Sequence, residues 1–177
     1  MSKIVIREEV PADIRAVTRL LYEAWLETYP NETLGITRDD IENRFKHRFD
    51  EKELANRAKK LEDDPGRYTF VAEKDNEIVG VCGVEVGATK QRLAQIYVAP
   101  NLQGQGIGKQ LYAVAQEHFT PGVPVHVCFA SYNQQAINFY ERLGFKRTGK
   151  EFTDPRLIMK SGATIPEIEL IHTLDEN

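Results

Sequence analysis

The most informative segment of the chain is glycine-rich and reads Val98-Ala99-Pro100-Asn101-Leu102-Gln103-Gly104-Gln105-Gly106-Ile107-Gly108-Lys109. The residues before it predict a strand over 91–98, and apolar residues at helical spacing after it predict a helix from about Gln105 to Phe119. A glycine-rich connection from a strand into a helix is where backbone N–H groups converge on an anion, because the first helical turn leaves these groups without partners. The segment therefore predicts a phosphate-binding loop with Lys109 at its rim.

Two common nucleotide-binding motifs fail to match this loop. A dinucleotide fingerprint that begins at Gly104 would need glycine in place of Lys109. A P-loop built on Gly108-Lys109 would need glycine at Gln103 and Ser or Thr at Gln110. The alternative that the glycines only shape a tight turn is disfavoured, because three alternating glycines at a helix start are costly for that purpose alone.

The rest of the chain predicts a sheet covered by helices. Strands are expected at 3–7, 68–73, 78–87, 91–98, 125–130, 145–152 and 167–173, with an irregular loop between the last two. Helices are expected at 11–29, from Thr37, from Asp50, at 105–119 and at 133–143. This order predicts an α/β fold with a mixed, largely antiparallel central sheet, in a single domain over 1–177.

Composition excludes several classes of protein. The 177 residues are 41% hydrophobic with a net charge of −4, which does not favour a nucleic-acid binder, and the basic stretch 44–48 is expected to be a solvated helix face. No apolar run approaches the roughly 18–20 residues that cross a bilayer, and charge comes too early for a signal peptide. Cys82 and Cys128 are expected to be reduced core residues, with one disulfide between them as the alternative. We therefore expect a cytoplasmic protein without a metal site or a membrane partner.

The motif Gln103-x-x-Gly106-x-Gly108 resembles the acetyl-CoA loop of the GNAT superfamily of N-acetyltransferases, which reads Gln/Arg-x-x-Gly-x-Gly/Ala. The preceding residues 96–100 resemble that family's fourth strand, and Asn133, Ala136 and 138–145 resemble its second signature. The resemblance covers roughly residues 3–173 and is most specific within 91–150. It implies an acyl-CoA N-acyltransferase fold and the transfer of an acetyl group from acetyl-CoA to a primary amine by direct attack in a ternary complex.

The resemblance also implies a binding site for acetyl-CoA. Its pyrophosphate would lie against 103–109, and its pantetheine arm would pair with the backbone of Ile96 and Val98, where the fourth strand splays from 125–130. A backbone N–H, that of Val98, would hold the thioester oxygen as negative charge develops on it. Asn133 would contact the cofactor arm, cap its own helix, or do both. The predicted cofactor-binding residues are Ile96, Tyr97, Val98, Gln103, Gly104, Gln105, Gly106, Ile107, Gly108, Lys109 and Asn133.

Tyr140 matches the family's general-acid position and would protonate the thiolate leaving group. The alternative is a core residue, because Tyr140 lies on an apolar helical stripe. The base is less evident: Glu85 on the third strand is the first candidate, alongside a proton relay through water. The position on the fourth strand where the family often has Glu carries Gln95, which cannot titrate, and His126 is expected to be a core histidine.

Trp25 and Tyr29 would wall a cleft for the acceptor, which we expect to be a small-molecule amine, with a polyamine as one candidate on a loose second resemblance. Carboxylates nearby would suit a cationic amine or would form a solvated helix face: Glu27, Glu32, Asp39, Asp40 and Glu42. A protein or peptide amine, and a non-catalytic CoA-binding regulatory module, are the alternative functions. An exposed terminal strand would suit a homodimer.

Overall fold

The computed structural model describes residues 3–175, in which seven strands form one sheet with the order β1-β2-β3-β4-β5-β7-β6. All neighbouring strands pair antiparallel except β4 and β5, which are parallel. The predicted mixed, largely antiparallel α/β fold is therefore confirmed. The strands are β1 (Val5–Glu8), β2 (Arg67–Lys74), β3 (Glu77–Val86), β4 (Gln91–Val98), β5 (Val125–Ala130), β6 (Lys146–Ile158) and β7 (Thr164–His172).

The helices divide the apolar core between the two faces of the sheet. One buried cluster joins α4 and α5 to the sheet, and the other joins it to α1 and α2. Between residues 3 and 175, no helix has the length and apolar composition needed to span a bilayer. Cys82 and Cys128 are both free thiols, so the disulfide alternative is wrong. The helices are α1 (Ile14–Thr28), α2 (Arg38–Phe45), α3 (Glu51–Asp63), α4 (Ile107–Ala115) and α5 (Gln134–Arg142).

The structure departs from the predicted bounds of α4 and β6, and it fixes the position of β7. Helix α4 begins at Ile107 rather than Gln105, because Gly106 before it has the left-handed φ of 81° that ends a loop rather than continues a helix. Strand β6 runs on to Ile158 through the predicted loop, and it tolerates Pro155 because it is an edge strand with a register break there. The last strand, β7, lies between β5 and β6, so the exposed edges are β1 and β6.

Strands β4 and β5 start side by side and then separate. Their paired residues are Gln91 with Val125 and Arg92 with His126. The fully buried Gln91 fastens this end: its Nε2 donates to the carbonyls of Thr120 (2.9 Å) and Val123 (3.1 Å), and its Oε1 accepts from the Thr120 N–H at 2.6 Å. The turn before β5 is thereby tied to the start of β4, and the gap opens beyond it.

Asp40 joins α2 to the turn between β6 and β7. It forms a capping box with Thr37, and it accepts from the N–H (2.8 Å) and the hydroxyl (2.9 Å) of Ser161. Burial raises the pKa of Asp40, but hydrogen bonds from Thr37 and Ser161 outweigh that effect and hold the pKa at about 2. Helix α2 and this turn therefore close over the same face of the sheet.

We expect Gln91→Ala to destabilise the protein by about 2–4 kcal/mol, because it removes three buried hydrogen bonds and leaves their backbone partners unsatisfied. Urea denaturation followed by circular dichroism measures the change. Gln110→Ala, at an exposed position of α4, is the matched control and should lie within about 0.5 kcal/mol of the parent. Equal stability of the two variants would show that Gln91 does not anchor the strands.

Candidate functional site

A cleft of about 420 Å³ lies where β4 and β5 separate. One part is built from β4, the glycine-rich loop and the starts and inner faces of α4 and α5, and another part from Ala24 and Thr28 of α1. Because α1 packs on the opposite face of the sheet from α4 and α5, the cleft passes through the gap in the sheet. Two molecules approaching from opposite faces can therefore meet at the edge of β4.

The glycine-rich loop presents open space at the start of α4. Gly104 and Gly106 have φ of 77° and 81°, and a Cβ placed on either would meet no atom within 4 Å. Helix α4 has no side-chain cap, whereas Thr37 and Asn133 cap α2 and α5. The N–H groups of its first turn thus face an open cradle, which fits a pyrophosphate.

Two cationic side chains and two amides complete this end of the cleft. Lys109 and Arg142 line it and can approach phosphate oxygens. The Gln103 amide holds the loop in place, since its Nε2 donates to the Val98 carbonyl (3.2 Å) and its Oε1 accepts from Gln135 (2.8 Å). The loop is therefore fastened both to β4 and to α5.

The backbone of β4 turns alternate residues toward the gap. The Ala99 N–H donates to the Val79 carbonyl of β3 at 2.8 Å, so the backbone N–H groups of residues 97 and 99 point toward β3. The N–H groups of Ile96 and Val98 then point to the other side, where β5 has already moved away. This free strand edge is the place that the sequence predicted for an extended, amide-rich ligand arm.

Tyr140 is both a core residue and part of the cleft wall. Its ring packs among Phe129, Phe139 and Phe145, with centroid distances of 4.9, 5.3 and 5.6 Å, and the residue is 5% exposed. It also lines the cleft. Burial, with a smaller effect of Tyr97, raises the pKa of the Tyr140 phenol well above its ordinary value, so the proton stays on the oxygen at neutral pH.

Glu85 lies away from the cleft wall. Its carboxylate is near the guanidinium groups of Arg67 (3.6 Å) and Arg92 (3.9 Å), and its side chain is 41% exposed. Gln95 leans over Gly83 of the neighbouring strand. His126 is satisfied, with Nδ1 3.2 Å from the Glu169 carboxylate.

Trp25 and Tyr29 stack on each other on the α1 face, with ring centroids 4.2 Å apart. The Tyr29 hydroxyl hydrogen-bonds that of Tyr97 at 3.0 Å, and the Tyr29 carbonyl accepts from the Tyr132 hydroxyl at 2.9 Å. The two predicted acceptor residues therefore lie beside the gap, while Ala24 and Thr28 of the same helix line the cleft directly.

The predicted acidic and basic patches have other contacts. Asp40 is the capping residue described above, and Asp39 lies 3.5 Å from Lys160. Neither belongs to the cleft wall, which weakens the electrostatic case for a polyamine. Arg44, from the predicted solvated stretch, instead stacks over Trp25 and donates to the Arg156 carbonyl at 3.0 Å.

The structure brings nearly all predicted cofactor residues into one cleft and adds others. Of the predicted set, Gln105 is not part of the wall. The added residues on α5 follow one face of the helix at spacings of four and three, a pattern that could have been read from the sequence. The added residues are Ala24, Thr28, Leu102, Gln135, Ala136, Phe139, Arg142 and Leu143. Within residues 3–175, no cluster of His, Cys, Asp and Glu could hold a metal ion.

Comparison with known proteins identifies one family. A family model described as an acetyltransferase (GNAT) domain matches residues 26–159. Mycothiol acetyltransferase from Streptomyces coelicolor is 37% identical over 87 residues, which are 46% of this chain and 28% of that protein. Peptidyl-lysine N-acetyltransferase YjaB from Salmonella typhimurium is 36% identical over 66 residues, or 37% of this chain and 43% of that protein. The chain thus matches less than half the length of either relative.

Solved structures share the fold. The PaiA N-acetyltransferase from Thermoplasma acidophilum, in complex with coenzyme A, superposes with a TM-score of 0.70 at 20% identity and covers 93% of this chain and 98% of that chain. The ribosomal-protein-S18-alanine N-acetyltransferase from Escherichia coli gives a TM-score of 0.67 at 17% identity, with 99% and 96% covered. The overall architecture is therefore common to proteins of low sequence identity.

We expect Gly106→Glu to abolish CoA binding measured by isothermal titration calorimetry, because it strains a left-handed backbone and places negative charge beside the helix start. Gly162→Glu is the matched control, since Gly162 also has a left-handed φ (88°) with open space around it, but lies in the β6–β7 turn. That variant should bind CoA like the parent. Retained CoA binding by Gly106→Glu would place the phosphates elsewhere.

Proposed function

Since the chain belongs to the GNAT acetyltransferase family, we propose that it moves an acetyl group from acetyl-CoA to a primary amine of a small molecule by direct attack in a ternary complex. The match confirms the predicted family and its enzyme class, an acyltransferase whose donor is acetyl-CoA. The observation that carries the proposal is the cleft through the gap between β4 and β5, which gives a donor and an acceptor separate entrances to one strand edge.

The donor would be held by the α4 face of the cleft. The first-turn N–H groups of α4 and the side chains of Lys109 and Arg142 would bind its phosphates. The backbone of Ile96 and Val98 would pair with its extended arm. Acetyl-CoA supplies an activated acyl carbon, and the Val98 N–H would hydrogen-bond the acyl oxygen, where negative charge grows during attack.

Tyr140 would deliver a proton to the departing sulfur. Its phenol lines the same cleft and remains protonated at neutral pH, because burial raises its pKa. A thiolate is a better leaving group when it is protonated as the C–S bond breaks. Glu85 stays a candidate base, although its carboxylate lies near the guanidinium groups of Arg67 and Arg92 and is not part of the cleft wall.

The acceptor would enter from the α1 face, past Trp25 and Tyr29. One relative is named a mycothiol acetyltransferase and another a peptidyl-lysine N-acetyltransferase, so a peptide amine is the second candidate. The small-molecule acceptor is the first candidate, on the packed aromatic rings of Trp25, Tyr29 and Phe45 at this face. A polyamine is less favoured, because Asp39 pairs with Lys160 and Asp40 binds Ser161, so neither carboxylate is available to bind a cationic acceptor.

Four further expectations belong to this proposal. The two free thiols fit a cytoplasmic location. A homodimer would have to use the β1 or β6 edge, since β7 is internal. The continuous sheet supports one domain over 1–177. Neither nucleic acid nor a membrane is expected as a partner, on the net charge of −4 and the composition.

An acceptor screen tests the proposal. Release of free thiol from acetyl-CoA is measured with spermidine, glucosamine and a lysine-containing peptide, while CoA binding is measured separately by calorimetry. Turnover with an amine supports the transferase, and the preferred amine identifies the acceptor class. CoA binding without turnover on any amine would favour the regulatory module, and absence of both would overturn the site.

We expect Tyr140→Phe to lower kcat by about 100-fold or more while CoA affinity stays unchanged, because the variant keeps the ring and loses the acid proton. The matched control is Tyr112→Phe. Tyr112 is 4% exposed in the same apolar cluster, and its hydroxyl has no hydrogen-bond partner in the part of the chain described. That variant should keep its kcat. A normal rate for Tyr140→Phe across the pH range would remove Tyr140 from the chemistry.

A further inference from the structure

Glu167 is a carboxylate at the centre of the sheet that the preceding mechanism does not use. It lies on β7, is 9% exposed, and pairs with Ala130 of β5. Paired residues of antiparallel strands share a face, and Ala130 belongs to the core cluster on the α1 side. The Glu167 side chain therefore projects from the face of the sheet that packs against α1. Its cross-strand neighbour, Ala130, has only a methyl side chain.

The position of Glu167 is close to the gap between β4 and β5. Burial raises the pKa of both Tyr29 and Tyr97, and the negative charge of Glu167 adds to the rise in each. The Glu167 carboxylate thus lies near the Tyr29 and Tyr97 hydroxyls, which form a hydrogen bond of 3.0 Å with each other. Tyr97 directly precedes Val98 and packs against the core cluster on the α1 side, whereas Tyr140 belongs to the core cluster on the α4 side. A carboxylate and a phenol therefore flank the same point of β4.

Glu167 differs from the other carboxylates around it, which all have cationic partners. Glu167 itself makes no ion pair and no side-chain hydrogen bond among residues 3–175. The paired groups are Glu169 with His126 (3.2 Å) and Lys150 (3.8 Å), Asp154 with Arg156 (2.5 Å), and Glu85 with Arg67 (3.6 Å) and Arg92 (3.9 Å). A buried carboxylate without a partner costs free energy, so its presence points to a ligand.

The surroundings also favour a proton on this carboxylate. Burial raises the pKa of Glu167, the Asp154 charge on β6 adds to the rise, and Arg92 on β4 and Arg156 on β6 oppose it. The other titratable groups that face it are Tyr29 of α1, Tyr97 of β4, Cys128 of β5 and its own strand neighbour Glu169. An elevated pKa makes the carboxylate a stronger base at neutral pH than an ordinary glutamate.

We propose that Glu167 binds the acceptor's ammonium group on the α1 face of the gap and takes a proton from its nitrogen. This inference rests on the proposed function. As the N–C bond forms and the C–S bond breaks, the nitrogen loses two protons between ammonium and amide. One passes to a Glu167 carboxylate oxygen and then to solvent. The sulfur gains a proton from the Tyr140 hydroxyl, which is restored by the second proton from the nitrogen through water.

The kinetic test compares Glu167→Gln, Glu167→Asp, Glu169→Gln and Glu85→Gln, with whichever of spermidine, glucosamine and a lysine-containing peptide the parent acetylates best. We expect Glu167→Gln to lower kcat/KM about 100-fold near neutral pH and to move the acid limb of its pH profile up to the pKa of the amine, with CoA affinity unchanged. The deficit should shrink as the pH approaches the pKa of the amine, because the nitrogen is then already unprotonated. Glu167→Asp should keep the acid limb, and so should Glu169→Gln, the control from the same strand and face.

A second measurement does not require turnover. Protein labelled with 13C at the glutamate carboxyl carbons is titrated by NMR, and the resonance missing from Glu167→Gln identifies Glu167. We expect this carboxyl to titrate above the ordinary glutamate range and to shift when spermidine is added to the CoA complex. A resonance that titrates normally and does not respond to the amine would overturn the inference.

The outcomes separate the two proposals. If the parent protein acetylates none of the three amines, the transferase function fails, and the role of Glu167 fails with it. If the parent is active and Glu167→Gln keeps the parental acid limb, only the role of Glu167 is overturned. An upward shift of the acid limb in Glu85→Gln alone would instead assign the base to Glu85.

Discussion

The separation of two parallel strands is the constraint on which this molecule depends. Strands β4 and β5 are held together at one end, where the buried Gln91 amide binds the turn that precedes β5. Beyond Arg92 and His126 they diverge, which leaves the N–H groups of Ile96 and Val98 without a strand partner. A sheet normally satisfies such groups internally, so a free edge inside a sheet is a binding surface by its chemistry.

The two faces of the gap have different chemistry. On the α4 side, glycines in left-handed conformations and an uncapped helix start present N–H groups, with Lys109 and Arg142 nearby. On the α1 side, aromatic rings surround a hydroxyl pair and an unpaired carboxylate, Glu167. The first face suits a polyanion and the second suits a cation. Under the proposed function, this asymmetry would separate the donor from the acceptor.

The sequence predicted those turns and helix starts that depend on residues close together in the chain. The Asp75-Asn76 hairpin turn adopts the positive φ angles that its residues favour, and Thr37 with Asp40 forms the expected capping box. The boundaries that failed had tertiary causes. Irregular composition suggested a loop before the last strand, but β6 continues through Pro155 because an edge strand tolerates the missing N–H. The insertion of β7 between β5 and β6 is likewise set by tertiary pairing.

The chain's own residues determined the glycine-rich loop, the family and the strand before the loop, because Gly106 acts through its left-handed backbone and the Gln103 amide binds the Val98 carbonyl, all within a few consecutive positions. Only the tertiary structure decided the surroundings of each carboxylate. Glu85 and Glu167 are equivalent as residue types, yet one lies between two arginines and the other is buried without a counter-ion. The basicity of a carboxylate depends on desolvation and neighbouring charge, and both are set by strands far apart in the sequence.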